Sequence, residues 1–322
     1  MTDQISNPTI NFIKRLIPFV VVVILLGVVP LSVPPYWADL VTYVFIYYIY
    51  AISFDLLLGY LGLISFGHQI FWGTGAYIVG ILITRGITTN FGIVLLFSLV
   101  VAIVLAAVLG VLVLRTSGIY FSFVNMAFGM AFFALSAKWY ALTKGTDGLS
   151  GFERPWDMDG TAFYYFVFIF FIAAFLLMRW ITSSRYGHVL IGIRENEDRM
   201  HSLGYNTWIY KYSAYIIASM FGSVAGVLTA YQNKIVTPDD YGFPISGMAL
   251  LMCLVGGRAS QIGAFIGAAI VVFLFRVVSQ FTEHWLIIVG VVFVLVVLFA
   301  REGVLGYYYK IKDKLNGIIK HQ

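Results

Sequence analysis

Five charged residues, Arg194, Glu195, Glu197, Asp198 and Arg199, stand together in the stretch RYGHVLIGIRENEDRMHSLGY (Arg185–Tyr205), between two long apolar segments. Side chains of these types at this density do docking chemistry: ion pairs and charge-assisted hydrogen bonds to a soluble surface. Arg194 and Asp198, Glu195 and Arg199, and Glu197 and His201 are each four apart and of complementary sign, the spacing that pairs side chains along one face of a helix. Acids lead and bases trail, which suits the helix dipole, and Gly204 offers a stop. The spacing predicts one short helix that hands force or signal to a soluble partner. The competing reading is a solvated loop that touches nothing.

Other chemistry is thin. The chain has no HExxH, no CxxC and no nucleophile elbow, and its one cysteine, Cys253, sits in an apolar run where it reads as a packed side chain. No lysine is followed by Ser or Thr, which excludes a P-loop. If the chain works by ATP, another subunit supplies the ATPase. Polar residues inside apolar runs are the remaining candidates. Asp55, in SFDLLLGY, is the one acid well inside an expected span, read either as a proton relay or as a hydrogen-bonded structural acid. His68 and Gln69 open the third apolar run and Asn125 lies in the middle of the fifth. These three are candidates for lining a pathway, weighed against helix entry, packing and interhelical hydrogen bonding. Arg276 is expected to snorkel from the outer end of its span. No chain of acids crosses the apolar runs, which argues against a proton-coupled pump.

The elements that must position these residues follow from composition. Hydrophobic residues make up 61% of the chain and charged residues 11%, against roughly 25% charged in soluble domains, so this is an integral membrane protein. Apolar runs near 20 residues predict spanning helices, because lipid cannot satisfy an open backbone. Spans are expected at 16–33, 39–58, 63–84, 91–114, 118–141, 161–181, 207–231, 245–256, 262–281 and 284–300, an all-α protein of about ten helices (8–10). The run 245–256 is short, and Gly59–Gly62 carries no charge to orient it; either is expected to be a re-entrant or broken helix, and such breaks often line transport sites. The first span ends in PLSVPPYW with no small-residue cleavage site and reads as retained.

Ten spans put both termini on one side, and on that side fall fourteen of the twenty Lys and Arg, against five opposite and Arg276 within a span. The positive-inside rule then makes the termini and Arg185–Tyr205 cytoplasmic. The net charge of +5 reflects topology and calls for no nucleic acid. The expected organisation is a tail at 1–15, a membrane domain at 16–300 containing the segment 185–206, and a basic tail at 301–322. Gly222/Gly226 and Gly263/Gly267 are GxxxG pairs, and Gly73, Gly75 and Gly80 crowd the third span, all read as close helix packing. GTGAYIVGILI and GAFIGAAIVVFLF look loosely alike, as internal repeats of transporters do. The outer loop 141–160 carries Lys144, Asp147, Glu153, Arg154, Asp157 and Asp159, suited to docking a protein or to solvent.

GYLGLISFGHQIFWGTGAY, SGIYFSFVNMAFGMAFFAL, TKGTDGLSG, GHVLIGIRENEDRMHSLGYN, LLMCLVGGRASQIGAFIGAA and VLVVLFAREGVLG together resemble the branched-chain amino acid ABC transporter permeases of the LivM type, from about Leu40 to Gly306. The resemblance implies a type II-like importer permease in the bacterial inner membrane. It implies as partners a second permease of the LivH type, two ATP-binding subunits that use Mg-ATP, an extracytoplasmic binding protein and membrane lipid, with no cofactor or metal on this chain. Its coupling helix lies where Glu195–Gly204 stands, making Arg194, Glu195, Glu197, Asp198 and Arg199 the residues expected to face the ATPase. Leu, Ile or Val is the implied cargo, with urea or short amides as alternatives within the family and an ion-coupled secondary transporter or a non-transporting scaffold outside it. Arg301 stands where the family commonly has proline, implying a changed helix end. The block also departs from the EAA-x-x-x-G spacing of other importer classes.

Overall fold

The computed structural model describes residues 25–281 and the isolated positions 287, 290, 291, 294 and 303. The expected span 284–300, the tails 1–15 and 301–322, and the first span before residue 25 lie, those positions apart, outside the described residues.

The chain is built from helices: α1, described over 25–32; α2, Pro35–Asp55; α3, Gln69–Thr84; α4, Phe91–Val113; α5, Ile119–Lys138; α6, Tyr140–Thr143; α7, Gly160–Ser183; α8, Arg185–Glu195; α9, Glu197–Ser202; α10, Thr207–Asn233; α11, Phe243–Gly256; and α12, Gln261–Phe281. Local chemistry fixes their starts. Pro35 opens α2, where its missing N–H and fixed φ do no harm. Asn90 caps α4 by accepting from the backbone N–H of Gly92 at 2.9 Å, and Asp159 caps α7 by accepting from Ala162 at 2.7 Å.

Six helices among the described residues are long and apolar enough to cross a membrane: Pro35–Tyr60, counting the π turn Leu56–Tyr60 that extends α2, then α4, α5, α7, α10 and Gln261–Val278. The chain is a multi-pass, mostly helical membrane protein. Two of the expected spans are shorter apolar helices, α3 and α11. The expected span 63–84 begins as a helix only at Gln69, because residues 61–68 run non-helically through the interior with Leu61, Leu63, Ser65, Gly67 and His68 buried. The expected span 118–141 ends at Lys138, and α6 follows as a single turn.

Helix α2 is central, with 83% of its most apolar window buried, whereas α4 and α5 are each 28% buried and present long apolar faces outward. Helix α10 packs along α2, α3 and α4, while α12 packs along α2 and α11. Helix α3 is entered through the non-helical stretch 61–68 and α11 through a 3-10 turn, Pro238–Tyr241, and their first turns meet where the Gln69 backbone N–H donates to Ser246 Oγ at 2.9 Å. This places the start of α3 against the start of α11. Gly73, Gly75 and Gly80 serve three neighbours, lying against Tyr241, Ser223 and Leu149.

The connections fall into two groups at opposite ends of the helices. At one end the loop 141–160 joins the chain after α10: β1, Leu149–Ser150, pairs antiparallel with β2, Ile235–Val236, and Glu153 forms an ion pair with Lys234. At the other end Gln261 Nε2 donates to Thr182 Oγ1 at 3.4 Å, and α8 and α9 lie between α7 and α10.

Candidate functional site

Ser184 is extended (φ −78, ψ 172) and separates α7 from α8. Helix α8 buries Gly187, Val189, Leu190 and Ile193 against the membrane domain. Gly187 lies so close to the Thr182 carbonyl that a Cβ there would stand 2.1 Å from the oxygen. Tyr186 fixes the start of α8 to α10, its hydroxyl 2.8 Å from Ser213 Oγ. Burial pushes that hydroxyl up to about 12, so it stays neutral and acts as a hydrogen-bonding group.

One continuous helix does not form across the block. Asn196 is extended (φ −160, ψ 100) and ends α8, and its side chain accepts from the Arg199 backbone N–H at 2.8 Å to start α9. An asparagine offers its own N-cap, and here the cap wins over charge pairing worth only about 0.2–0.5 kcal/mol per pair. The expected Arg194–Asp198 and Glu195–Arg199 pairs straddle this elbow and are absent from the ion pairs among the described residues. Gly204 does stop α9: at φ +88 it lets its own N–H reach His201 O at 2.9 Å and the Tyr205 N–H reach Met200 O at 3.1 Å, a Schellman ending.

The elbow sorts the five expected docking residues into two sets. Arg194 and Glu197 turn toward the membrane domain. The Arg194 guanidinium donates through Nη1 to the carbonyl of Gly59, and Glu197 forms an ion pair with Lys211 and accepts from Thr207 Oγ1 at 3.0 Å. Glu195, Asp198 and Arg199 face away with His201 and Leu203, all exposed, and Leu203 is 67% exposed although it is apolar. A surface of mixed charge around an exposed leucine is one that a soluble partner can cover.

His68, Gln69 and Asn125 are brought together in the interior, where each is fully buried. His68 Nε2 lies 2.8 Å from Ser53 Oγ on α2, among the rings of Tyr50, Phe54 and Phe71. Gln69 is bonded to Ser246 through both its backbone N–H and Oε1. Asn125 Nδ2 donates to Ser65 Oγ at 2.7 Å, and Tyr215 Oη donates to Asn125 Oδ1 at 3.1 Å. These bonds tie α2, α3, α5, α10 and α11 to one another. Ser53, Ser65, Ser246 and Tyr215 complete the cluster and are not evident from sequence, because a lone hydroxyl in an apolar run has no pattern.

Asp55 is buried at the end of α2, where Oδ1 accepts from the backbone N–H of Ala259 at 3.0 Å. Cys253 is buried and packed, its Sγ 3.4 Å from Ala51 O. Arg276, expected to snorkel, is exposed and lies over the Tyr43 ring with Cζ 3.6 Å from its centroid. In the loop 141–160, Glu153 and Arg154 tie back to the end of α10, Arg154 Nη2 donating to Gln232 Oε1 at 3.3 Å, beside a polar cavity of about 420 Å³.

The family model described as branched-chain amino acid transport system, permease component, matches residues 36–297. The chain is 25% identical over 320 residues to the high-affinity branched-chain amino acid transport system permease protein LivM of Escherichia coli K12, an alignment covering 89% of this chain and 74% of that one. It is also 25% identical to LivH of the same strain, over 81% of this chain and 91% of that one. A probable LivM of Methanocaldococcus jannaschii is 24% identical, over 69% and 75%. No solved structure matches.

Proposed function

The chain belongs to the branched-chain amino acid transport system permease family, and from that premise we infer that it is one permease subunit of an ATP-driven importer of leucine, isoleucine and valine. Membership makes it a non-enzymatic, multi-pass transport component of an ABC system. The finer reading rests on the elbow: α8 and α9 join two long helices and turn Glu195, Asp198, Arg199 and Leu203 away from the membrane domain. An ATP-binding subunit docks on that face. The charge count across the connections supports placing this face and both termini in the cytoplasm, with ten spans in the bacterial inner membrane.

The remaining parts of the importer follow from the same reading. Two ATP-binding subunits bind and hydrolyse Mg-ATP, and this chain binds no nucleotide. Likeness to both LivM and LivH supports a pair of unlike permeases that face each other across the pathway. An extracytoplasmic protein delivers the amino acid to the loop end. Closure of the ATPases moves the elbow and switches the permeases between outward and inward access. This reading gives Asp55, whose Oδ1 accepts from the Ala259 N–H, a structural role and no part in ion coupling.

The test is reconstitution of the complex purified from its native membrane, with its binding protein, and measurement of leucine uptake. Uptake requires ATP, and Glu195→Lys with Arg199→Glu strips the ATPase from the membrane subunits and abolishes it. Uptake that proceeds without ATP overturns the importer reading. Uptake of urea in place of leucine overturns the substrate.

A further inference from the structure

The side chain of Arg194, 35% exposed and with Nη2 3.8 Å from Glu195 Oε1, leans from the last turn of α8 onto the end of α2. Its Nη1 donates to the carbonyl of Gly59, and its stem lies against Gly62, where a Cβ would stand 2.8 Å from Arg194 Cγ. Both glycines belong to an irregular stretch. Leu56–Tyr60 is a π turn, a form that leaves carbonyls without their usual partners and recurs at functional sites, and Gly62 then turns the chain at φ +78 into the non-helical entry of α3.

The same stretch holds a second broken connection. Asp55 accepts from the Ala259 N–H at 3.0 Å, and Tyr60 Oη donates to Ala259 O at 3.3 Å, which binds the turn between α11 and α12 to the end of α2. A Cβ on Gly59 would stand 2.4 Å from the Ala259 nitrogen, so the two turns are in direct contact. From Gly62 the chain runs through Ser65, bonded to Asn125, to His68 and Gln69, where α3 meets α11. A side chain fixed to the π turn therefore touches the connection that leads to both short helices.

We propose that Arg194 is the positioning residue that transmits movement of the α8–α9 elbow to the two broken helices, through the Gly59 carbonyl and the turn at Arg258–Ser260. This deepens the importer reading and rests on it. The elbow has two arms with separate attachments: Arg194 holds α8 to the end of α2, and Glu197 holds α9 to the start of α10. Displacing the outward face of the elbow pulls on both. Only the Arg194 arm ends on irregular backbone, which can shift without breaking a regular helix. A guanidinium is suited to the task because it stays charged and its planar donors hold direction, which a lysine's ammonium does not.

The experiment uses the complete complex in vesicles and reads three quantities: ATPase retained on the membrane subunits, ATP hydrolysed, and leucine taken up per ATP. Arg194→Gln keeps the ATPase bound and hydrolysing, and uptake per ATP falls about tenfold. Arg194→Lys, which keeps the charge and most of the stem, recovers part of that ratio and covers the case in which the glutamine variant does not accumulate. Glu195→Lys with Arg199→Glu gives the contrasting result, loss of the ATPase itself. The proposal is overturned if Arg194→Gln leaves uptake per ATP unchanged, or if it releases the ATPase as the outward-face variant does. If wild-type uptake needs no ATP, the importer reading falls, and that failure is visible in the wild-type arm alone.

Discussion

Asp55 Oδ1 accepts the backbone N–H of Ala259 at 3.0 Å, a bond that closes the end of α2 onto the turn between α11 and α12. The oxygen needed for that bond survives in Asn and is lost in Ala. Asp55→Asn therefore retains ATP-driven leucine uptake near the wild-type level, with or without a proton gradient. Asp55→Ala leaves a buried N–H unpaired and lowers stability by about 1–3 kcal/mol, read as a lower unfolding midpoint in detergent. Loss of uptake in Asp55→Asn with the midpoint unchanged would reinstate ion coupling through this acid.

Asn125 holds α5 to the non-helical entry of α3 and to α10 with two bonds, to Ser65 at 2.7 Å and from Tyr215 at 3.1 Å. Hydrogen bonds between membrane helices average about 0.6 kcal/mol each and reach about 1.7. Asn125→Leu is expected to cost roughly 1–2 kcal/mol and to raise hydrogen exchange over residues 61–68 before any other segment. An unchanged midpoint together with a changed substrate preference would make Asn125 a pathway residue.

Long apolar helices were legible because their hydropathy and their caps agree. The expected runs 91–114, 161–181 and 207–231 correspond to Phe91–Val113, Gly160–Ser183 and Thr207–Asn233. Hydropathy failed at 61–68, where an apolar segment buried by protein scores like one buried by lipid and only the glycines at 59, 62 and 67 hint at a break. At the elbow, four-residue charge spacing outweighed a cue in plain view, the asparagine between two glutamates. The location of the charged block was readable, but the direction in which each of its side chains points was not. That direction depends on Lys211, Thr207 and Gly59, which lie outside the block.

The GxxxG pair on α10 is unequal. A Cβ on Gly226 would stand 1.9 Å from the carbonyl oxygen of Trp72, whereas one on Gly222 meets the Phe71 Cβ at 3.1 Å. Backbone at the crossing of α3 and α10 cannot yield as a side chain can. Gly226→Ala is expected to destabilise by about 1–3 kcal/mol and Gly222→Ala by less than half of that. Thermal unfolding of the two variants side by side checks the order, and equal midpoints would mean that α3 and α10 are not packed at this separation.

Glu197 is tied to Lys211, whose side chain is only 14% exposed, while Glu195 is 70% exposed and lies 3.8 Å from Arg194. A half-buried pair suffers more from reversal than an exposed one, because the stranded charge cannot be fully hydrated. Glu197→Lys and Lys211→Glu are each expected to cost about 1–3 kcal/mol and to open residues 196–206 to protease. The double exchange Glu197→Lys with Lys211→Glu restores the attraction, and with it most of the stability and the protection. Glu195→Lys changes neither, since its partner is reached at long range in water. If the double exchange is no better than the worse single variant, Glu197 is held by Thr207 rather than by Lys211; if Glu195→Lys alone exposes the segment, the outward face has been assigned to the wrong residues.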